Sequence, residues 1–158
     1  MMKNKISSFL LLLFVFSNAS KAQVNQALPE LNQSIINYVQ TVIGKKVDRG
    51  ECWDLANQAL NRAGAKWKFP TQFGVEINPK MDTILPGDII QFKNVKMGDS
   101  KGQTWSFSTH TAIVYKVIGK GVYQVAEQNV NGIRKVKIDD LNYNNLKSGK
   151  MIFYRPTK

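Results

Sequence analysis

The spacing of apolar residues in this chain changes near Leu85, from the period of helices to the period of strands. Before that point, apolar residues recur every three to four positions from Leu28 to Val42, where Gly44 is a stop signal, and again from Cys52 to Ala63. After it, short β-rich runs are separated by Gly, Asn, Asp or Lys: GDIIQFKNV, HTAIVYKV, GVYQVAEQ, GIRKVKI and KMIFYRP. Two helices followed by strands favour an α+β fold over a parallel α/β one. The prediction is N-terminal helices packed on a mostly antiparallel sheet of about five strands.

The second helical segment carries its own start signal. Asp48-Arg49-Gly50-Glu51 has the side chains of a capping box, which predicts a helix that begins near Asp48. One face of this helix contains the positions i, i+4, i+7, i+8 and i+11, namely Cys52, Ala56, Ala59, Leu60 and Ala63. We therefore expect the Cys52 thiol to point inward from the first turn, where free backbone N–H groups and the helix dipole lower its pKa.

The segments between the strand runs have distinct characters. KMGDSKGQTWSFST is a polar sequence with two aromatics, and it is predicted to be a loop that borders a site. DDLNYNNLKSG is expected to hold a short helical turn, and Pro86-Gly87-Asp88 reads as a tight turn in which Asp88 is structural. Trp53, Trp67 and Trp105 are expected in the core or in the wall of a cleft.

The N-terminus has the pattern of a secretory signal peptide. Lys3 and Lys5 precede an apolar run from Ile6 to Phe16 that is too short for a stable membrane anchor, and Ser20-Lys21-Ala22 offers a small-x-small cleavage site. No cysteine stands at the end of the run or at the cleavage site, so the bacterial lipoprotein route is not expected. We predict a signal peptide at residues 1–22, a single domain at residues 23–158, and a secreted or periplasmic protein without a stable membrane anchor.

Charge narrows the class of partner. The chain has a formal net charge of +11, and loss of the three lysines before residue 23 still leaves it strongly basic, which favours polyanionic surroundings. The lysines are scattered and no nucleic-acid-binding motif appears, so a nucleic-acid partner is not expected. An anionic polymer of the cell envelope suits an exported protein better.

The chain contains one cysteine, Cys52, and one histidine, His110. A lone cysteine forms no internal disulfide, so in an oxidising compartment it is either buried and inert, paired between chains, or reactive. If HTAIVYKV and GVYQVAEQN form a hairpin centred on Gly119-Lys120, His110 lies opposite Asn129 and diagonal to Glu127. A thiol at a helix start, the only histidine and two residues able to accept its second N–H make the set that nucleophilic acyl chemistry requires.

GECWDLA, LPGDIIQF, HTAIVYKV and VAEQNVNG, in that order, resemble the successive blocks of a CHAP-type amidohydrolase/peptidase, related to NlpC/P60 proteins in the papain-like group. The resemblance covers about residues 45–155. It implies that Cys52, His110, Glu127 and Asn129 form a catalytic site that needs neither cofactor nor metal. It also implies that peptidoglycan peptides are the substrate, while an accompanying inhibitor or immunity protein is left open.

The resemblance implies a division of roles. Cys52 is the nucleophile, His110 moves the proton, Glu127 orients and charges His110, and Asn129 steadies the histidine or the polar wall. Two alternatives use the same sequence: acyl transfer to an amine, and a basic binding module with an inactive cleft. Glu51 and Asp54 flank Cys52 and would oppose thiolate formation unless they point away from it.

Overall fold

The computed structural model describes residues 27–158. Its elements are α1 (Glu30–Val42), α2 (Cys52–Ala63), β1 (Val75–Ile77), β2 (Ile89–Gly98), β3 (Thr104–Gly119), β4 (Val122–Glu127), β5 (Lys137–Asn142), a 3₁₀ helix (Tyr143–Asn145) and β6 (Leu146–Arg155). The strands form one antiparallel sheet in the order β1-β6-β2-β3-β4-β5. The predicted α+β class is confirmed, whereas the predicted signal peptide lies outside the described residues.

Both helices pack on one face of the sheet and bury the sides that their spacing predicted. Ile35 and Val39 of α1, and Ala59 and Leu60 of α2, are fully buried in a core shared with the sheet. The small side chains of α2 allow this helix to lie close to β3. Burial of each large apolar side chain contributes roughly 1.5–3 kcal/mol, so these contacts anchor both helices against the sheet.

A second core lies on the opposite face of the sheet. It contains Ile90 and Phe92 before Asn94, and Val95 and Met97 after it. Strict alternation would send these two pairs to opposite faces, but Asn94 adopts a left-handed φ of 50° and resets the alternation. This irregularity turns the far ends of β2 and β3 back over the second core.

The second helix begins later than predicted. Asp48 cannot start a helix because its φ is 52°, and α2 begins instead at Cys52. The capping box exists, but its residues are Glu51 and Asp54: the Glu51 side chain accepts from the Asp54 N–H, and Asp54 Oδ2 accepts from the Glu51 N–H at 3.0 Å. The capping box predicted for Asp48 and Glu51 was therefore wrong, because the box lies three residues later, between Glu51 and Asp54.

The strand predictions were right in kind and wrong at several boundaries. The sheet has six strands in place of about five, because Val75–Ile77 is a three-residue strand that pairs with β6 and is too short to leave a period. Most of KMGDSKGQTWSFST is not a loop, since it contributes the end of β2 and the start of β3 and leaves only residues 99–103 as a turn. GIRKVKI overlaps β5 only at its last two residues, and the predicted helical turn is confirmed at Tyr143–Asn145.

The hairpin between β3 and β4 has the predicted register at the site, although its turn lies elsewhere. Gly119 pairs with Val122, so the turn is Lys120-Gly121 and not Gly119-Lys120. Two register shifts along the hairpin compensate for this difference, and Ile113 then pairs with Ala126 as the predicted symmetry requires. The prediction that His110 and Glu127 would be neighbours was thus reached from a wrong turn.

Candidate active site

The thiol of Cys52 lies at the first position of α2 and is half-buried. Burial opposes its ionisation, but a hydrogen bond and charge from His110 outweigh that effect, with backbone N–H bonds from Thr111 and Trp53 adding to it. The pKa of Cys52 is therefore lowered from its ordinary value. Thiolate character arises mainly from the histidine, while the helix start predicted from the sequence supplies one of the backbone donors.

The imidazole of His110 is buried on β3, with 3% of its surface exposed. Its Nε2 lies 2.7 Å from Oε2 of Glu127, which leaves Nδ1 as the ring nitrogen for the Cys52 thiol. Burial favours the neutral ring, but hydrogen bonds to Cys52 and Glu127 and the charges on both raise the pKa of His110 to about 9. In neutral solution His110 is therefore an imidazolium, and its positive charge favours the thiolate form of Cys52.

Two phenylalanines that contact each other also pack against the imidazole ring. Phe107 stacks on His110 with ring centroids 4.7 Å apart and an interplanar angle of 17°, and Phe92 contacts it at 5.4 Å. Phe107 pairs with Val95, the residue after Asn94, and packs against the second core beside Phe92. The sequence prediction missed both residues; the signal was present only for Phe107, as an aromatic in a segment predicted to border the site.

Behind the histidine, a further carboxylate lies next to Glu127. Burial raises the pKa of Glu127, and a hydrogen bond with Asp139 raises it further against the effect of His110. Burial would likewise raise the pKa of Asp139, but its hydrogen bonds with Glu127 and Lys137 lower it. Lys137 forms an ion pair with Asp139 on the same strand. The sequence prediction missed Asp139 because it placed β5 five residues too early.

Asn129 is close to the site but is bonded to the nucleophile side of it. It follows β4 by two residues, has a left-handed φ of 61°, and donates its side-chain amide to Glu51 Oε2 at 2.6 Å. The predicted hairpin placed Asn129 and Glu127 on one face of a strand. However, β4 ends at Glu127, and Asn129 lies beyond it. Among the hydrogen bonds of residues 27–158, those of the Asn129 side chain thus connect it with the start of α2 and not with His110.

The two acids that flank Cys52 are occupied by other partners. Glu51 caps α2 and pairs with Arg134 at 3.0 Å, and Asp54 is fully buried and bonded to Arg49 at 2.5 Å. Because each carboxylate has a nearby cation and a backbone donor, neither has its charge directed at the thiol. The sequence-based concern about these two residues is therefore answered by the capping box.

A groove of about 660 Å³ opens beside the buried carboxylate of Glu127. Its walls include Trp105 and Phe107 from β3, Asn129 after β4, and Asp139 from β5. Trp53 and Trp67 instead form a T-shaped pair against the core, with centroids 5.6 Å apart. Within residues 27–158, no group of three His, Cys, Asp or Glu side chains gathers to hold a metal ion, and no helix is long and apolar enough to cross a membrane.

The arrangement can perform nucleophilic chemistry at an acyl carbon. A thiol of lowered pKa on helix α2, and an imidazolium and a buried carboxylate on two strands of the antiparallel sheet, stand in series. Fold and side chains together define a protein of the cysteine-proteinase fold class.

The chain belongs to the AIM3/BBC1 cysteine proteinase-fold domain family, whose model matches residues 14–158. A relative in Debaryomyces hansenii, "Altered inheritance of mitochondria protein 3", is 27% identical over 143 residues, which cover 77% of this chain and 15% of that protein. Two solved structures share the fold at 17% identity: Ly7917 with the hydrolyzing product of MDP, at a TM-score of 0.53, and Ly7917, at 0.52. In both cases the match covers 79% of this chain and 62% of the Ly7917 chain.

The family match refines the resemblance seen in the sequence. The matched family is AIM3/BBC1 and not the CHAP family itself, and a cysteine-proteinase fold is what the two assignments have in common. The chain spans only 15% of its curated relative and 62% of the Ly7917 chains. Activity, substrate and partners therefore have to be argued from the site.

Proposed function

We propose that this protein is a cysteine-dependent amidohydrolase. The observation that carries the proposal is the coupled pair of Cys52 and His110, in which each group stabilises the charged form of the other. Because the imidazolium favours the thiolate form of Cys52, the sulfur can attack a carbonyl as the stronger nucleophile. An inert buried cysteine would need neither a histidine partner nor backbone donors aimed at its sulfur.

The proposed reaction has two stages. Cys52 Sγ bonds to the carbonyl carbon of an amide, and the His110 imidazolium gives its proton to the departing amine as the C–N bond breaks. Glu127, hydrogen-bonded to Nε2, keeps the ring oriented and charged until that transfer. A water molecule, deprotonated by the now neutral His110, then cleaves the thioester and regenerates the thiolate. The backbone N–H of Cys52, free at the helix start, is the candidate donor to the oxyanion.

Peptidoglycan peptides are the proposed substrate class. Two observations support it: the strongly basic chain suits an anionic polymer, and the structural neighbour Ly7917 was solved with the hydrolyzing product of MDP. The groove beside Glu127 has room for part of a peptide. Asn129, on the groove wall, contributes to the shape of the site through Glu51.

Export through a signal peptide ending at Ala22 is part of the proposal. The family match begins at residue 14, inside the apolar run. It therefore includes residues 14–22 in the domain, whereas the signal-peptide proposal assigns them to a cleaved segment. Intact mass measurement of the protein recovered from its native cells decides between them. A mass corresponding to residues 23–158 supports export, and retention of the first 22 residues contradicts it.

The enzymatic proposal is tested with purified peptidoglycan and mass spectrometry of the released peptides. Wild-type protein should release amide-cleavage products, and Cys52→Ala should lose activity by roughly 10⁴–10⁶-fold while it keeps the wild-type circular dichroism spectrum. Met81→Ala, at an exposed position outside the groove, is the control and should match wild type. Equal activity in Cys52→Ala would refute the assignment, and products that carry an added amine would indicate acyl transfer in place of hydrolysis.

A further inference from the structure

Three consecutive residues at the end of β4 contact both halves of the site. Glu127 bonds to His110 on one side of the sheet. Gln128 points to the other side, as alternation along an extended chain requires, and there it meets the segment that leads into α2. Asn129 then reaches the carboxylate of Glu51. The imidazole and the thiol are therefore both held by one short stretch of chain.

Gln128 uses every polar atom of its side chain in this contact. It is fully buried. Its Oε1 accepts from the Val47 N–H at 3.2 Å, while Nε2 donates to the carbonyl oxygens of Val47 at 3.1 Å and Glu51 at 2.7 Å. The Glu51 carbonyl belongs to the peptide group that immediately precedes Cys52. A buried amide with three bonds to one segment fixes that segment's position, because each bond lost would leave a polar group unsatisfied.

The neighbouring contacts reinforce the same attachment. The Asn129 amide bonds to Glu51 Oε2 at 2.6 Å, and Arg134 bonds to the other oxygen of Glu51. Gly50 lies so close to the same loop that an added Cβ would stand 2.8 Å from the Cβ of Arg134. The loop after β4 and the segment before α2 are thus packed in direct contact, which leaves little room for the nucleophile to shift relative to the strand.

We propose that Gln128 and Asn129 are positioning residues of the site, which hold the start of α2 so that the Cys52 thiol stays within hydrogen-bond reach of His110. The inference rests on the proposed function for its biological meaning, but its consequences appear in the resting protein. A displacement of about 1 Å between reacting groups costs on the order of 100-fold in rate. Two amide side chains that bond to neither the thiol nor the imidazole therefore control the reactivity of the thiol.

Gln128→Met in the full chain is the main test, because methionine keeps the length of the side chain and removes all three bonds. The chain has one cysteine and one histidine, so alkylation by iodoacetamide reports Cys52 alone and NMR titration reports His110 alone. We expect the thiol pKa to rise toward about 8.5 and the His110 pKa to fall toward about 6.5. Alkylation at pH 6.5 should slow about tenfold for each unit by which the thiol pKa comes to exceed 6.5.

Asn32→Leu provides the matched control. Asn32 of α1 is equally buried and its amide also bonds two acceptors, the carbonyl oxygen of Pro86 and Oδ1 of Asp88. This variant should lower the melting temperature and leave both pKa values as in wild type. If Gln128→Met behaves in the same way, with reduced stability and unchanged pKa values, the amide is only structural and the proposal is overturned.

Asn129→Gly is the second variant, and it decides the matter if Gln128→Met does not fold. Glycine accepts the positive φ at this position without strain, so only the bond to Glu51 is lost. Alkylation of Cys52 at pH 6.5 should slow at least threefold, whereas an unchanged rate would overturn the proposal. Because neither readout uses a substrate, an absence of amide cleavage by wild-type protein would refute the proposed function and leave this test intact.

Discussion

Two pairs of acidic side chains border the two reacting groups of this site, and they differ in what surrounds them. Glu51 and Asp54, beside Cys52, bind backbone N–H groups and two arginines at the start of α2, so their charges are not directed at the thiol. Glu127 and Asp139, behind His110, face an imidazole and a single lysine. The partner of a carboxylate, and not its distance in sequence from the nucleophile, therefore decides whether it affects the chemistry.

Breaking the second pair should have the largest effect. Glu127→Gln removes the charge that stabilises the imidazolium, so the His110 pKa should fall and kcat/KM should drop by roughly 10²–10⁴-fold. Glu51→Gln keeps an oxygen at the helix cap and should change kcat/KM by less than about threefold. Steady-state kinetics and NMR titration of His110 measure both effects. Comparable losses in the two variants would show that the two pairs do not differ as described.

The pH dependence of kcat/KM distinguishes the two acidic pairs further. The His110 pKa of about 9 predicts that kcat/KM falls above pH 9, about tenfold per unit, as the imidazolium loses its proton. The folded-state pKa lies above the unfolded value of about 6.5, so the stability that this proton contributes is complete below pH 6.5 and lost as pH rises through 9. The alkaline limb should move to lower pH in Glu127→Gln and stay in place in Glu51→Gln. An alkaline limb that does not move in Glu127→Gln would show that Glu127 does not stabilise the charge on His110.

A smaller effect is expected from Asp139. Its hydrogen bond raises the pKa of Glu127, so Asp139→Asn should keep Glu127 ionised to lower pH and shift the acid limb of Cys52 alkylation by a fraction of a unit. Asp140→Asn is the control, since Asp140 is exposed and bonded to Gln124, and it should leave the limb unchanged. An acid limb shifted equally by both substitutions would point to a general charge effect.

The smallest effect on activity is expected at Asp54. Asp54→Asn weakens the capping box and the contact with Arg49, which should cost about 1–2 kcal/mol in the free energy of unfolding measured with urea. Alkylation of Cys52 by iodoacetamide at neutral pH should stay within twofold of wild type. A large loss of reactivity would mean that this carboxylate acts on the thiol after all.

The sequence predicted well the parts of the fold that depend on local pattern. The buried side of α2, the end of its pattern at Ala63 and the position of Cys52 in the first turn follow from residues three or four apart in the chain. His110 and Glu127 were brought together because hairpin register repeats along two adjacent strands. Each of these features needs only one or two neighbouring elements to be correct.

The remaining features depend on contacts that no local pattern encodes. Asp139 joins the site only when β5 is placed correctly beside β4, and Asn129 departs from the strand because its φ becomes positive at residue 129. The bonds of Gln128 to Val47 and Glu51 connect positions about 80 residues apart. Such long-range polar contacts are selected by the packed structure, so sequence reasoning brought Cys52, His110 and Glu127 together and missed the side chains that hold them in place.

The two register shifts of the β3–β4 hairpin have a consequence for engineering. They separate the tip at Lys120-Gly121 from the pairing at Ile113 and Ala126, so the geometry near His110 is insulated from the length of the turn. Exposed loop tips are also the sites where insertions are best tolerated. Gly119 and Lys120 are exposed at this tip, so an affinity tag or a fluorescent-labelling peptide spliced between them would give a tethered or labelled protein in which the thiol and imidazole keep their native relation.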